Sequence, residues 1–240
     1  MIHEFERHWD HIADQMGGNA QAFHATYPGQ SVLAALRHLL PVDLDGAGVL
    51  DIGCGTGRYF PFLSALGATR LVGLDIGPSL LAACQQHNPA VSLALAHALH
   101  LPFASHSFEI VISMGLVEHF RDPTPVLDEF VRLLRPGGTL ILETPNLLNL
   151  VFSLYKIIHR KSLAWERWLG PWSLSGMVKH NRHLTASGFA SAILASWLLT
   201  RLVNKAGRGM PCIPNALIAL ERLWPFRYLG SMMFVSAHRH

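Results

Sequence analysis

Val49 to Gly57 reads VLDIGCGTG, a stretch in which one acid, Asp51, precedes three glycines at alternate positions, Gly53, Gly55 and Gly57. Gly53 and Gly55 can turn the chain sharply and let a ligand approach the backbone, and Gly57 removes side-chain bulk where a following helix begins. The spacing is G-x-G-x-G, and Arg58 occupies the place where a dinucleotide fingerprint puts Gly or Ala, which opposes NAD or FAD. No Gly-Lys-Ser/Thr follows, so a nucleotide phosphate loop fails as well. A second acid, Asp75, closes the run LVGLD. A carboxylate at that place either caps the next turn or accepts both hydroxyls of a ribose, and beside the glycine loop the ribose role is favoured. Together the two features predict a ligand that carries adenosine.

Such a site needs strand ends to hold it. Val49 to Asp51 ends a strand, Arg58 to Leu66 reads as a helix, Arg70 to Asp75 as a strand, and Ser79 to His87 as a helix capped by Ser79. Val91, Leu93 and Leu95 alternate as a third strand, and Phe108 to Ser113 form a fourth. Val126, Leu127, Phe130, Val131 and Leu134 recur at helical spacing, and Pro136, Gly137 and Gly138 stop that helix before the strand TLILET. Strand followed by helix, repeated five times, implies a parallel sheet wrapped on both faces, with ligands at the carboxyl ends of its strands. The loops that matter then begin at Gly53, Ile76, His97, Met114 and Pro145.

The flanks read differently. Residues 1–48 form a helical lead-in, with Val32, Leu33, Leu36, Leu39 and Leu40 on one face and Pro41 as its stop, and residues 49–146 form the ligand-binding core. Residues 147–240 form a helical cap on the substrate side plus the terminal strand or strands of the same domain, the last at MMFVSA. Trp165, Trp168, Trp172 and Trp197 fall in its apolar and basic stretches. Ordinary packing of cap helices is favoured for residues 147–172, with peripheral membrane contact as the other reading.

Composition narrows the classes. A chain of 240 residues that is 50% hydrophobic and 15% charged folds around a core, and its net charge of +3 comes from scattered bases rather than the stripe of a nucleic-acid binder. Three cysteines, Cys54, Cys84 and Cys212, without a Cys-x-x-Cys pair, fit a reduced, cytoplasmic setting, and Cys54 reads as packing rather than as a nucleophile. No signal-peptide core opens the chain, and no apolar run is long enough to span a membrane. The pairs His8 and His11, His97 and His100, and His180 and His183 lack convergent carboxylates, so no metal site is expected.

The ordered segments VLDIGCGTG, LVGLDIG, HALHLPFASHSFEIVIS, GLVEHFRDP and LLRPGGTLILETPN resemble the class I S-adenosylmethionine-dependent methyltransferases of the type 11 group, over about residues 45–146. The resemblance implies an α/β, Rossmann-like doubly wound sheet, mostly parallel with an antiparallel last strand. It implies S-adenosylmethionine as cofactor and S-adenosylhomocysteine as product. Asp51 and the backbone around Gly53 to Gly55, in a cofactor-binding loop that includes Cys54 and Gly57, would hold the methionine portion, Asp75 the ribose, and Ile76 one face of adenine. Many relatives carry an acid where His97 stands, so the adenine contact falls to a ring nitrogen of His97 or to the backbone of Ala98. Met114 would border the methyl group. Glu109 replaces a common Asp and reads as a structural carboxylate. A weaker likeness at HLTASGF places a helix start near Leu184.

Methyl transfer from a sulfonium is an in-line displacement that asks the protein mainly for alignment and exclusion of water. Glu118 and His119 follow the fourth strand, and His119 has the ordinary pKa of a general base for a hydroxyl; the alternative is that both only shape the loop. His180 and His183 are weaker candidates for that proton role. The expected acceptor is a small, apolar or aromatic molecule. The competing class is a cofactor-binding regulatory or partner protein that transfers nothing.

Overall fold

Alternation within each central strand sorts the core into two layers. The computed structural model describes residues 24–146, 148–149, 169–192, 218–219 and 230–240. Leu50, Val111, Leu140, Leu142 and Val235 pack into one cluster, while their strand neighbours Val49, Ile110, Ile112, Ile141 and Phe234 pack into another. Side chains that alternate across a pleat can bury both sets only if helices cover both faces.

The elements in chain order are α1 (Tyr27–Leu39), β1 (Gly48–Ile52), α2 (Phe60–Ala65), β2 (Arg70–Asp75), α3 (Pro78–His87), β3 (Ser92–Leu95), β4 (Phe108–Met114), a one-turn 3₁₀ helix (Val117–His119), α4 (Thr124–Leu133), β5 (Leu134–Pro145), α5 (Pro171–His180), β6 (Leu184–Ala192) and β7 (Met232–Arg239). The seven strands lie in the order β3-β2-β1-β4-β5-β7-β6. β1 to β5 pair in parallel, and β7 runs antiparallel to both β5 and β6. The fold is therefore the mostly parallel, doubly wound sheet with an antiparallel last strand that the sequence predicts.

Several local expectations change. The α3 helix begins at Pro78 with Gly77, not Ser79, in the cap position. Proline suits the first helical position because it lacks the N–H that would be orphaned there, and the Gly77 N–H is taken up by Asp75 Oδ1 at 2.9 Å. Between β3 and β4 the crossover is a loop rather than a fifth helix. Arg132 on α4 holds it, donating to the carbonyls of Leu101 and Phe103. The strand TLILET begins earlier, at Leu134, which pairs with Phe108 before the register shifts.

Leu184 opens a strand, not a helix. β6 needs close approach at its centre: a Cβ on Gly188 would lie 2.7 Å from both Leu39 Cδ2 of α1 and Ser236 Oγ of β7. A run rich in Ala, Ser and Gly lets α1 settle on the sheet edge, so packing overrides the local pattern. Glu109 behaves as a structural carboxylate at the amino end of the sheet, accepting the Gly48 N–H at 2.7 Å and pairing with Arg70 and Arg135.

No helix among the described residues is long and apolar enough to cross a membrane. Trp172 on α5 is exposed. Trp165, Trp168, Trp197, His8, His11, Cys212 and most of the 147–172 membrane-contact stretch lie outside the described residues.

Candidate active site

The carboxyl ends of β1, β2, β4 and β5 open onto one cavity of about 390 Å³. β1 passes straight into the glycine loop, which is tied back to β2 because the N–H groups of Gly53 and Cys54 both donate to Leu74 O, at 2.7 and 3.0 Å. Two glycines of the loop have separable reasons. Gly55 has φ +54°, and a Cβ built on it meets nothing within 4 Å, so the backbone there offers an open cradle. Gly57 has φ +75°, and its Cβ would fall 2.4 Å from Cys84 Sγ. The first is favoured by its positive φ and leaves open space beside the loop, and the second is required by packing.

Asp75 and Asp51 occupy this end in opposite states. Asp75 accepts the Gly55 N–H at Oδ2, 2.8 Å, and the Gly77 N–H at Oδ1, 2.9 Å, which pins its carboxylate across the loop. Asp51 is 1% exposed, and neither of its oxygens has a hydrogen-bond partner among the described residues. Burial, followed by the charge of Asp75, pushes its pKa from 3.8 up to about 8. A buried carboxyl without donors is costly unless something with a donor and positive charge comes to it. The ammonium of a methionine moiety is such a group, and the open backbone at Gly55 gives it room, so these residues fit S-adenosylmethionine.

On the far side of Asp75, Ile76, Leu80, Ala96 and Ala98 give the cavity an apolar wall, and His97 joins it. The Leu99 N–H donates to His97 Nδ1 at 3.2 Å, and the imidazole stands edge-on to Phe120 with centroids 5.9 Å apart. Burial, then the neighbouring His100, pushes the His97 pKa down. At the opposite end the 3₁₀ turn after Gly115 brings Glu118 and His119 to the wall, with Met114 before them. Glu118 is buried. His119 and Met114 are half-buried.

Of the residues singled out from sequence, Asp51, Gly53, Cys54, Gly55, Asp75, Ile76, His97, Ala98, Met114, Glu118 and His119 all line this cavity. Gly57 does not: it is a packing glycine behind the loop. His180 and His183 do not either. They line a separate groove of about 1080 Å³ between α4 and α5. The wall also includes Tyr59, where burial raises the phenol pKa, Glu143 near the end of β5, and Met232 at the start of β7. The strand-end rule reaches Glu143, two residues before Pro145, but no local pattern marks Met232, which arrives by pairing with Pro145.

A family profile described as "Methyltransferase domain" matches residues 50–142. Residues 50–142 are a class I S-adenosylmethionine-dependent methyltransferase domain. The chain is 33% identical over 153 residues to the ubiquinone biosynthesis O-methyltransferase of Xanthomonas oryzae pv. oryzae, a match covering 62% of this chain and 60% of that protein. The match to the tRNA U34 carboxymethyltransferase of Stutzerimonas stutzeri is 40% over 110 residues, 43% of this chain and 34% of that one. The chain thus spans less than two thirds of the length of either relative. A methyltransferase crystal structure from Thermotoga maritima superposes over 100% of both chains with a TM-score of 0.69 at 18% identity, a likeness of fold. This methyltransferase domain accounts for the glycine loop, β2 and the Glu118–His119 turn together.

Proposed function

We propose that the chain moves the methyl group of S-adenosylmethionine to a hydroxyl of a small, apolar or aromatic acceptor. The observation that carries this reading is Asp51, a buried carboxyl with no hydrogen-bond partner among the described residues, on the same cavity as Asp75 and His119. When bound, the cofactor supplies a methyl group on a sulfonium, whose departure leaves a neutral thioether.

The chain's own residues do the rest. Asp75, fixed by two backbone N–H groups, receives the two ribose hydroxyls, which are best bound by an acceptor that does not have to reorganise. Asp51 takes the ammonium, and Ile76, Leu80 and Ala98 face the base. His119 accepts the acceptor's hydroxyl proton, a step that turns a weak nucleophile into a strong one as displacement proceeds. Glu118 sets the turn that presents His119, and Met114 and Met232 keep water from the methyl group. The name of the Xanthomonas relative supports an oxygen acceptor.

The test is turnover with methyl-labelled S-adenosylmethionine and a panel of phenols and catechols. Label in the acceptor, together with one equivalent of S-adenosylhomocysteine, is the expected result. Tight binding of S-adenosylhomocysteine with no transfer to any phenol, alcohol, amine or thiol would instead make the chain a cofactor-binding partner protein.

A further inference from the structure

Two thiols meet behind the glycine loop, and methyl transfer uses neither. Cys54 sits in the loop and borders the cofactor cavity, while Cys84 lies on α3 with no exposed surface; neither is in a disulfide. The Cys54 thiol donates a hydrogen bond to Cys84 Sγ. Glycines leave the room for it: a Cβ on Gly73 would fall 2.9 Å from Cys54 Sγ and 3.0 Å from Phe60 Cζ, and one on Gly57 would overlap Cys84 Sγ and the same ring. The bond pulls the Cys84 pKa down and pushes that of Cys54 up. Asn88 fixes the α3 side, donating to Gly57 O at 3.3 Å and to Cys84 Sγ at 3.9 Å.

We propose that Cys54 and Cys84 are a redox pair, closed to a disulfide by hydrogen peroxide, and that the bridge shuts the cofactor site. This rests on the cofactor reading above. Cys54 meets the oxidant first, since it borders the cavity and Cys84 does not. Its sulfur attacks one peroxide oxygen, the O–O bond breaks, and water departs to leave a sulfenic acid. Cys84, whose lowered pKa favours the thiolate, then attacks the Cys54 sulfur; the S–O bond breaks and a second water departs. Two thiols give up two electrons and two protons, and one hydrogen peroxide becomes two waters. Bridging draws the sulfurs from hydrogen-bonding distance to about 2 Å. Because Asn88 and Gly57 clamp Cys84, the loop residue moves, and Gly55 beside it is drawn off Asp75 Oδ2, to which its N–H donates at 2.8 Å. A cofactor in the cavity does the reverse and shields Cys54.

The test uses the Cys212→Ser chain, in which this pair holds the only thiols. Excess hydrogen peroxide is expected to lower its mass by two hydrogens, to link the Cys54 and Cys84 peptides, and to weaken S-adenosylhomocysteine binding about 10- to 100-fold, the worth of one charge-assisted hydrogen bond. Dithiothreitol is expected to reverse all three. Saturating S-adenosylhomocysteine during the exposure is expected to slow the linkage by about tenfold or more. Cys84→Ser in the same background is expected to bind S-adenosylhomocysteine as its parent does when reduced. After peroxide it gains oxygen at Cys54, and dithiothreitol does not reverse the change, because a sulfenic acid without a thiol partner runs on to sulfinic acid. Cys84→Ala serves the same purpose where serine is not tolerated. Oxygen addition without linkage in the parent, or linkage with affinity within about twofold of the reduced protein, overturns the proposal. So does a dithiothreitol-reversible loss of the same size in Cys84→Ser, which would assign the effect to Cys54 alone. Absence of S-adenosylhomocysteine binding by the reduced parent, with the peptides linked, would overturn the cofactor reading and the switch with it.

Discussion

The two ends of the cavity are built on different principles. At the cofactor end nearly every contact is made by backbone or by a side chain within a few residues of a strand end: the Gly53 and Cys54 amides on Leu74, the Gly55 and Gly77 amides on Asp75. At the acceptor end the wall is assembled from distant parts of the chain, with Met114 and His119 after β4, Glu143 on β5 and Met232 on β7. A site made of short-range backbone contacts is rigid and tolerates little change. One made of side chains from separate strands can alter its substrate while leaving the cofactor in place.

The difference is most exposed at Asp75. Asp75→Ala removes the proposed ribose acceptor and the anchor of two loop amides together. Two charge-assisted hydrogen bonds at about 1.5–3 kcal/mol each imply a loss of about 10²- to 10⁴-fold in affinity for S-adenosylhomocysteine. Calorimetry checks it, and affinity within a few fold of wild type would remove Asp75 from the ribose.

Gly57→Ala tests the same end without touching the ligand. The new methyl group meets Cys84 Sγ at 2.4 Å in a backbone with φ +75°, so strain and overpacking together should cost about 2–4 kcal/mol. The expected readout is a fall in Tm of about 5–15 °C, partly restored by a trimming substitution, Cys84→Ala. An unchanged Tm would mean that the loop gives more easily than a backbone-anchored turn should.

At the acceptor end the effect is on rate alone. His119→Ala should lower kcat about 10²-fold, at the low end of what a positioned base contributes, while the Kd for S-adenosylhomocysteine stays within twofold. A parallel loss of cofactor affinity would show that the two ends are not separable in the way proposed.

What could be read from the sequence divides along the same line. The places of Asp51, Gly53, Gly55, Asp75, Ile76 and His97 on the cavity wall were legible because strand end and turn are contiguous, so residue order and spatial order coincide. Met232 was not, because its place depends on a strand pairing across more than eighty residues of chain. β6 was misread for a related reason: LTASGFASA has weak strand propensity of its own and becomes a strand because β7 offers an unpaired edge and α1 needs the clearance that Gly188 supplies. The loop between β3 and β4 likewise owes its course to Arg132, about thirty residues away.

A last expected effect lies at the cofactor end, and it concerns a proton. Asp51 has a folded pKa of about 8 against an ordinary 3.8, raised by burial first and by Asp75 second. A carboxyl whose pKa is higher in the folded protein contributes stability that is full below about pH 4 and is lost as pH rises toward 8. Ligand-free Tm should therefore drift down across that interval, and Asp51→Asn, which cannot ionise, should flatten the drift. Binding runs the other way. At pH 7 the carboxyl is mostly protonated, and an arriving ammonium favours its ionised form, so uptake of S-adenosylhomocysteine should expel close to one proton and tighten by up to tenfold per pH unit until about pH 8. Calorimetry in phosphate and in Tris, whose ionisation heats differ widely, reads that proton directly, and Asp51→Asn should erase it. Identical heats in the two buffers for wild type would mean that Asp51 keeps the same protonation state when the ligand arrives, and would remove it as the partner of the ammonium.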